Sequence, residues 1–493
     1  MCIGKDEVRK LSHKGHCLPQ PPYSVFHPKT LVHTSTQHIE FLDTERGGKH
    51  LLFDGYIYRI SKKVNMSSYY KCLRGCRATV VLFDGVYSSY RGDHDHASQE
   101  ARAASYRHTA SLKDAVRRQP TTPVLQLYKE ETSRFVDNIQ AAAGMPSFTA
   151  VRSVLYRTRN EYLPALPPSR SEVNLQDRWR RTLDDANFLL VDDGTEDKIL
   201  IFSTQANLQK LCRTNTIFID GTFKVTPRLF AQLYTVHAEY LGAIFPFVYA
   251  LLPDKSRLSY RRLFWHIKHA AGVYGYEFNP ERVVCDYEAA AIRAVNDVFP
   301  RAEVKGCFFH YFQCIWRKVQ SLGLVASYKE SAQAGEWIRR CAALPFIPLP
   351  FVDEVYMWIQ EQSPELPQAQ AFHDYMVDTW VDEGAMFPRA IWNHFDNGSR
   401  RTINDVEGWH YRLNSASHIS HGNIYKLAEL IPKNQQVNER EQVMLQTGHV
   451  VPPPRRRYRV LNSRINVLKA QLTDGLRTFH QYIDAIAYAI HLE

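Results

Sequence analysis

No apolar stretch in this 493-residue sequence is long enough to cross a bilayer. The longest, Ala243 to Leu252, has ten residues, contains Pro246 and runs into Pro253, whereas a spanning helix needs about 20. The start, MCIGKDEVRKLSHKGH, mixes both charges around no apolar core, so it fits neither a secretory signal nor a transit peptide and the expected compartment is intracellular. Gly-x-Ser-x-Gly and a Gly-rich phosphate loop are both missing, which leaves a plain α/β hydrolase without support. Cysteine is sparse: nine residues, an odd number, scattered from Cys2 to Cys341, which in a reducing compartment favours metal over disulfides. Acids are outnumbered, 51 Asp+Glu against 61 Lys+Arg, and the resulting +10 favours a polyanionic partner without specifying one. What is abundant is core material. Hydrophobic residues make up 44%, with 27 Tyr and 25 Phe, so the chain folds, and its length implies more than one core.

Residues 1–36 carry His, Pro, Ser and Lys with no apolar period and read as a tail. From 39 to 98, short runs such as HIEFL, HLLFDGYIYRI, SSYYKCL and RATVVLFDGVYSSY, punctuated by Gly, Asp and Asn, predict a small antiparallel sheet. So small a core needs a staple. Helical spacing over 99–165 predicts three short helices; the third, with Arg152, Arg157 and Arg159, suits either a DNA groove or a solvated spacer. PALPPSRSE at 164–172 reads as a linker. Beyond 185, NTIFIDGTFKV, LFAQLYTVHAEY, AIFPFVYALLP, RVVCD and AEVKGCFFH are predicted strands among helices, which is an α/β layer with a mixed sheet. Residues 325–400 read as a helical insertion. Over 436–493 a basic linker, PPPRRRYR at 452–459, precedes a C-terminal helix.

Cys72-Leu-Arg-Gly-Cys76 is followed by His94-Asp-His96. Two thiolates and two imidazoles complete a tetrahedral set of the kind zinc prefers, with no position left for water, so the expected role of Cys72, Cys76, His94 and His96 is structural. The competing reading of His94-Asp-His96 is a polar turn. Gly55, Tyr56, Tyr58, an aromatic two residues before the first Cys, C-x3-C-x-A and a terminal H-x-H together resemble the FLYWCH zinc finger over residues 39–98. Tyr70 stands where that family has Trp. The resemblance implies Zn²⁺ at the four ligands and recognition of DNA or protein.

Asp220 ends the apolar strand IFID, and a carboxylate at such an edge needs a cation or hydrogen bonds to offset its burial. Asp286 ends RVVCD in the same way; helix N-capping is its alternative role. Glu407 shares one helix face with Asn404 and His410. Two strand-end aspartates and a helix-borne glutamate could hold two Mg²⁺ ions about 3.5–4 Å apart, the arrangement that serves phosphoryl displacement. His410 either faces the same phosphate or packs beneath it. Cys307 and His310 are too few to hold zinc alone and read as packing groups or as partners of the ligands.

Asp220 in IDGTF, Asp286 in CDYEAA, Cys307-x-x-His310 in GCFFHYFQ and Glu407 in NDVEGWH, taken in order, resemble Mutator-like element (MULE) transposases over residues 185–435. That resemblance implies an RNase H-like catalytic core with a helical insertion between Asp286 and Glu407, preceded here by the small β-rich zinc finger and the helical unit. It implies Asp220, Asp286 and Glu407 as DDE ligands of Mg²⁺ or Mn²⁺, with Cys307 and His310 as the accompanying C-x2-H pair. The expected function is DNA transposition by strand cleavage and strand transfer at element ends. The alternative is a domesticated DNA-binding regulator without catalysis. DNA is the expected partner and the nucleus the expected location; no membrane is involved, and a homo-oligomer is compatible with the reading.

Overall fold

Aromatic and β-branched runs separated by Asp-Gly pairs fold into hairpins, as the sequence predicts. The computed structural model describes residues 39–44, 47–134, 144–398, 400–417, 420–453 and 455–490; the predicted tail lies outside them. The chain divides into one unit of residues up to 118 with 124–156, and a second of 119–123 with 157 onward. In the first, β1 (Ile39–Asp43), β2 (Lys49–Phe53), β3 (Tyr56–Val64), β4 (Ser67–Cys72), β5 (Thr79–Phe83) and β6 (Val86–Arg91) pair antiparallel in chain order. The turns Asp54-Gly55 and Asp84-Gly85 have φ of 50°, 76°, 47° and 78°, the left-handed backbone that a two-residue hairpin requires. Leu51, Phe53, Tyr58, Val80 and Leu82 form one small core. Leu42, Leu52 and Ile57 form another, with Ala103 of α1 (Glu100–Arg118). With α2 (Val124–Ser133) and α3 (Phe148–Tyr162), α1 packs around Leu112, Val116, Leu127, Val151 and Leu155. The predicted second helix extends to 143, and its part from 135 lies outside the described residues.

The second unit holds a seven-stranded mixed sheet in the order β13-β12-β9-β10-β11-β8-β7. Its strands are β7 (Leu189–Asp193), β8 (Ile199–Phe202), β9 (Thr216–Thr222), β10 (Gln232–Tyr240), β11 (Ala243–Leu252), β12 (Arg282–Cys285) and β13 (Glu303–Gly306). β12 runs parallel to β9 and β13; the other pairs are antiparallel. Along β11, Val248, Ala250 and Leu252 enter one core and Tyr249 and Leu251 another. A strand covered on both faces reads as a continuous apolar run, which is what AIFPFVYALL is.

The larger core gathers α4 (Gln205–Leu211), α5 (Arg257–Val273), α6 (Ala289–Val298) and α7 (Phe308–Ser321) with the sheet. It continues into α8 (Val325–Glu330), α9 (Ala332–Ala343), α10 (Val352–Glu361), α11 (Ala369–Met376) and α12 (Arg389–Trp392) around Trp337, Trp380 and Trp392. The other core packs α13 (Asn404–Ser417) and α14 (Ile424–Gln446) on β8 and β11 through Trp409, Leu413, Leu427 and Ile431. α14 continues through Pro432 and past residue 436, where the sequence suggests a boundary. The expected basic linker becomes helical at Arg456, opening α15 (Arg456–Thr473); α16 (Phe479–Ala489) follows. Leu461, Ile465, Leu468 and Leu472 recur at helical spacing and bury α15 against the helical region, which explains why a charged start does not leave the segment as linker.

Candidate metal centres

Cys72 ends β4, and the chain turns back at Gly75, where φ is 88°. Cys72 N–H bonds to the Ala78 carbonyl at 3.1 Å, closing a loop that presents both sulfurs. After β6 the chain passes Gly92, where a Cβ would lie 2.6 Å from the Arg77 carbonyl oxygen, and delivers His94 and His96. Sγ of Cys72 is 3.2 Å from Nε2 of His96, Sγ of Cys76 is 3.3 Å from Nδ1 of His94, and the two imidazole nitrogens are 3.3 Å apart. All four ligand atoms lie within 4.8 Å of one another. Tetrahedral zinc, with bonds of about 2.0–2.1 Å to nitrogen and 2.3 Å to sulfur, has ligand edges of roughly 3.3–3.8 Å. The outer nitrogens meet polar partners: Nε2 of His94 lies 2.8 Å from the Tyr58 hydroxyl and Nδ1 of His96 lies 2.9 Å from the Ala97 carbonyl. That leaves Nδ1 of His94 and Nε2 of His96 for the ion. Tyr56 stacks on His94 with centroids 3.5 Å apart. The donor set fits a structural zinc.

In the second unit, Asp220 sits in β9, its Oδ1 accepting the Gly221 N–H at 2.8 Å and its Oδ2 lying 3.2 Å from Nδ1 of His410. Asp286 follows β12. The α6 N-cap is Glu288, so Asp286 does not cap that helix. Burial, then the charges of Asp220 and Glu288, push the Asp286 carboxyl up to about 7, with Lys255 opposing. Glu407, in the first turn of α13, is likewise pushed up to about 7, by burial and then by Asp220. Asp220 is therefore the common electrostatic neighbour of the other two. Among the described residues, Cys72, Cys76, His94 and His96 form the set whose ligand atoms all lie within 4.8 Å of one another. Oε1 of Glu407 lies 3.2 Å from Nε2 of His310. Burial lowers the His310 pKa, and its Nδ1 is buried without a hydrogen-bond partner.

A small apolar plug holds the carriers of these acids together. Phe218, Val284, Cys307, Ile403 and Val406 pack beneath β9, β12, α7 and α13. Cys307 caps α7, and its fully buried Sγ accepts the Ile403 N–H at 3.3 Å. Burial pushes its thiol up to about 12. Cys307 is thus a packing group, whereas His310, one turn later, reaches the acids.

Residues 216–314 match the MULE transposase domain. Residues 41–96 match the FLYWCH zinc finger domain. The chain is transposase-related, and both domains suggest DNA binding. No curated protein matches it. The MULE match contains Asp220, Asp286, Cys307 and His310; Glu407 and His410 lie beyond its end.

Around the MULE acids the structure adds residues that sequence reasoning missed. Thr235 and His237 on β10 join His410 behind Asp220, with Thr235 Oγ1 2.8 Å from Nε2 of His410 and 2.9 Å from Nε2 of His237. Polar residues two apart in an otherwise apolar strand share a face, the signal that could have marked them. Glu288 accepts the Tyr260 hydroxyl at 2.6 Å and faces Lys255 at 3.4 Å. Asp254 accepts the Ser256 N–H and the Ser259 hydroxyl at the start of α5. Among the described residues, no helix is long and apolar enough to cross a membrane.

Proposed function

We propose that this chain is a DNA transposase whose mixed sheet is an RNase H-like core and whose Asp220, Asp286 and Glu407 hold Mg²⁺ or Mn²⁺. The observation that carries the reading is the crowding of the acids: burial, and then the charge of Asp220, raise the carboxyl pKa of both Asp286 and Glu407 to about 7, with Lys255 as the opposing cation at Asp286. Such a cluster of hard oxygen donors suits hard divalent ions. When bound, those ions supply activation of the attacking oxygen and stabilisation of the leaving oxygen in DNA cleavage and strand transfer. The protein's part is positioning. β9 and β12 fix two carboxylates at neighbouring strands, α13 brings the third, Cys307 pins the start of α13, and His310 orients Glu407. Arg455, Arg456, Arg457 and Arg459, exposed at the start of α15, and the zinc finger would contact the DNA backbone. The protein acts in the nucleus on this reading.

Purified protein with Mg²⁺ or Mn²⁺ should nick DNA carrying the element's terminal repeats, and Asp220→Ala should abolish nicking. No nicking by the wild type, or its persistence in the variant, contradicts the proposal. The second reading, a domesticated DNA-binding regulator, is favoured by the 3.2 Å contact that engages Oε1 of Glu407 with Nε2 of His310. Sequence-specific binding with no metal-dependent cleavage is its signature.

A further inference from the structure

Behind Asp220 lies a buried chain of polar contacts. Oδ2 of Asp220 is 3.2 Å from Nδ1 of His410, Nε2 of His410 is 2.8 Å from Oγ1 of Thr235, and Oγ1 of Thr235 is 2.9 Å from Nε2 of His237. Thr235 and His237 are fully buried, and His410 and Asp220 are 5% and 8% exposed, so water does not substitute for any of these partners. The Thr235 hydroxyl also donates to the Asp220 backbone carbonyl at 3.3 Å, so Thr235 touches both the main chain of Asp220 and the imidazole beside its carboxylate. Nδ1 of His237 is buried without a hydrogen-bond partner.

We propose that His410, Thr235 and His237 are positioning residues that fix the orientation of the Asp220 carboxylate for cation binding. The inference rests on the metal-dependent reading above and deepens it. Nδ1 of His410 lies 3.2 Å from Oδ2, and the Gly221 amide donates to Oδ1; between them they hold the rotation of the carboxylate. Because His410 lies one turn from Glu407 on α13, the same helix delivers one proposed ligand and buttresses another. Partners of this kind typically change metal affinity by about 10–100-fold when removed.

The test is Mn²⁺ binding by the full-length chain, followed by electron paramagnetic resonance of the free ion, alongside the melting temperature. Thr235→Val keeps the side-chain shape and removes the relay; it should weaken Mn²⁺ binding at least about tenfold, while Thr235→Ser restores it. A merely structural role shifts melting and leaves Mn²⁺ affinity alone. Should Thr235→Val not fold, His410→Asn carries the same test, since it keeps an N–H for Asp220 but ends the chain there. Wild-type affinity in both variants, beside loss of binding in Asp220→Ala, overturns the positioning role alone. Absence of Mn²⁺ binding at Asp220 in the wild type overturns the metal-dependent reading and the positioning role with it.

Discussion

Nε2 of His310 stands 3.2 Å from Oε1 of Glu407, so α7 reaches across to hold the acid that α13 carries. Its other nitrogen is buried without a hydrogen-bond partner, so the contact with that carboxylate is the polar contact His310 makes toward the acids. His310→Ala should leave DNA binding unchanged and raise the Mg²⁺ concentration needed for half-maximal cleavage by about tenfold. A gel-based cleavage titration measures it; equal loss of DNA binding would assign His310 to the fold instead.

Stability should depend on pH through the same acids. Burial and the Asp220 charge raise Asp286 from 3.8 and Glu407 from 4.5 to about 7 in the folded protein. A carboxyl with a raised folded pKa contributes stability below its unfolded pKa and loses that contribution as pH climbs through the folded value. In the presence of a chelator the melting temperature should therefore fall between about pH 4 and pH 7 relative to Asp286→Asn, which removes one charge. Mg²⁺ at pH 8 should raise it again in the wild type only. A pH profile identical in the variant counts against the electrostatic coupling.

The Cys72, Cys76, His94 and His96 set should bind one zinc per chain, measurable by metal analysis. Chelation should unfold the first sheet, whose core is small, and Cys72→Ser should mimic it. Tyr58→Phe removes the hydroxyl beside Nε2 of His94 and should weaken zinc by about tenfold while retaining the fold. Unchanged affinity in Tyr58→Phe would show that the hydroxyl does not orient His94.

Gly306 ends β13 directly under the Tyr287 ring, where a Cβ would lie 2.3 Å from the nearest ring carbon. Gly306→Ala should destabilise the second unit by about 1–3 kcal/mol, the usual cost of overpacking. Denaturant melting checks this, and Tyr287→Leu should relieve part of the loss.

Much of this architecture was legible because it rests on local patterns. Asp-Gly pairs marked hairpins, apolar runs marked β9 through β13, and ligand spacing brought Cys72, Cys76, His94 and His96 to one place. Strands β7 and β8 escaped because LLVDD and ILIF are too short to show a period. Arg455 to Arg459 disguised the start of α15, since its apolar anchors begin only at Leu461. The hydrogen-bond chain through Thr235 and His237 depends on contacts 175 residues apart in sequence, which no local window reports. The orientation of Glu407 toward His310 is likewise a tertiary outcome, set by α7 and α13 meeting over Cys307.

The most direct measurement is anomalous diffraction from crystals of the full-length protein soaked in Mn²⁺. The account predicts anomalous density against the Asp220 carboxylate, shared with Asp286 and Glu407, and its loss in Asp220→Ala. Density only at other sites, or none at all with Asp220, Asp286 and Glu407 ordered, would contradict it.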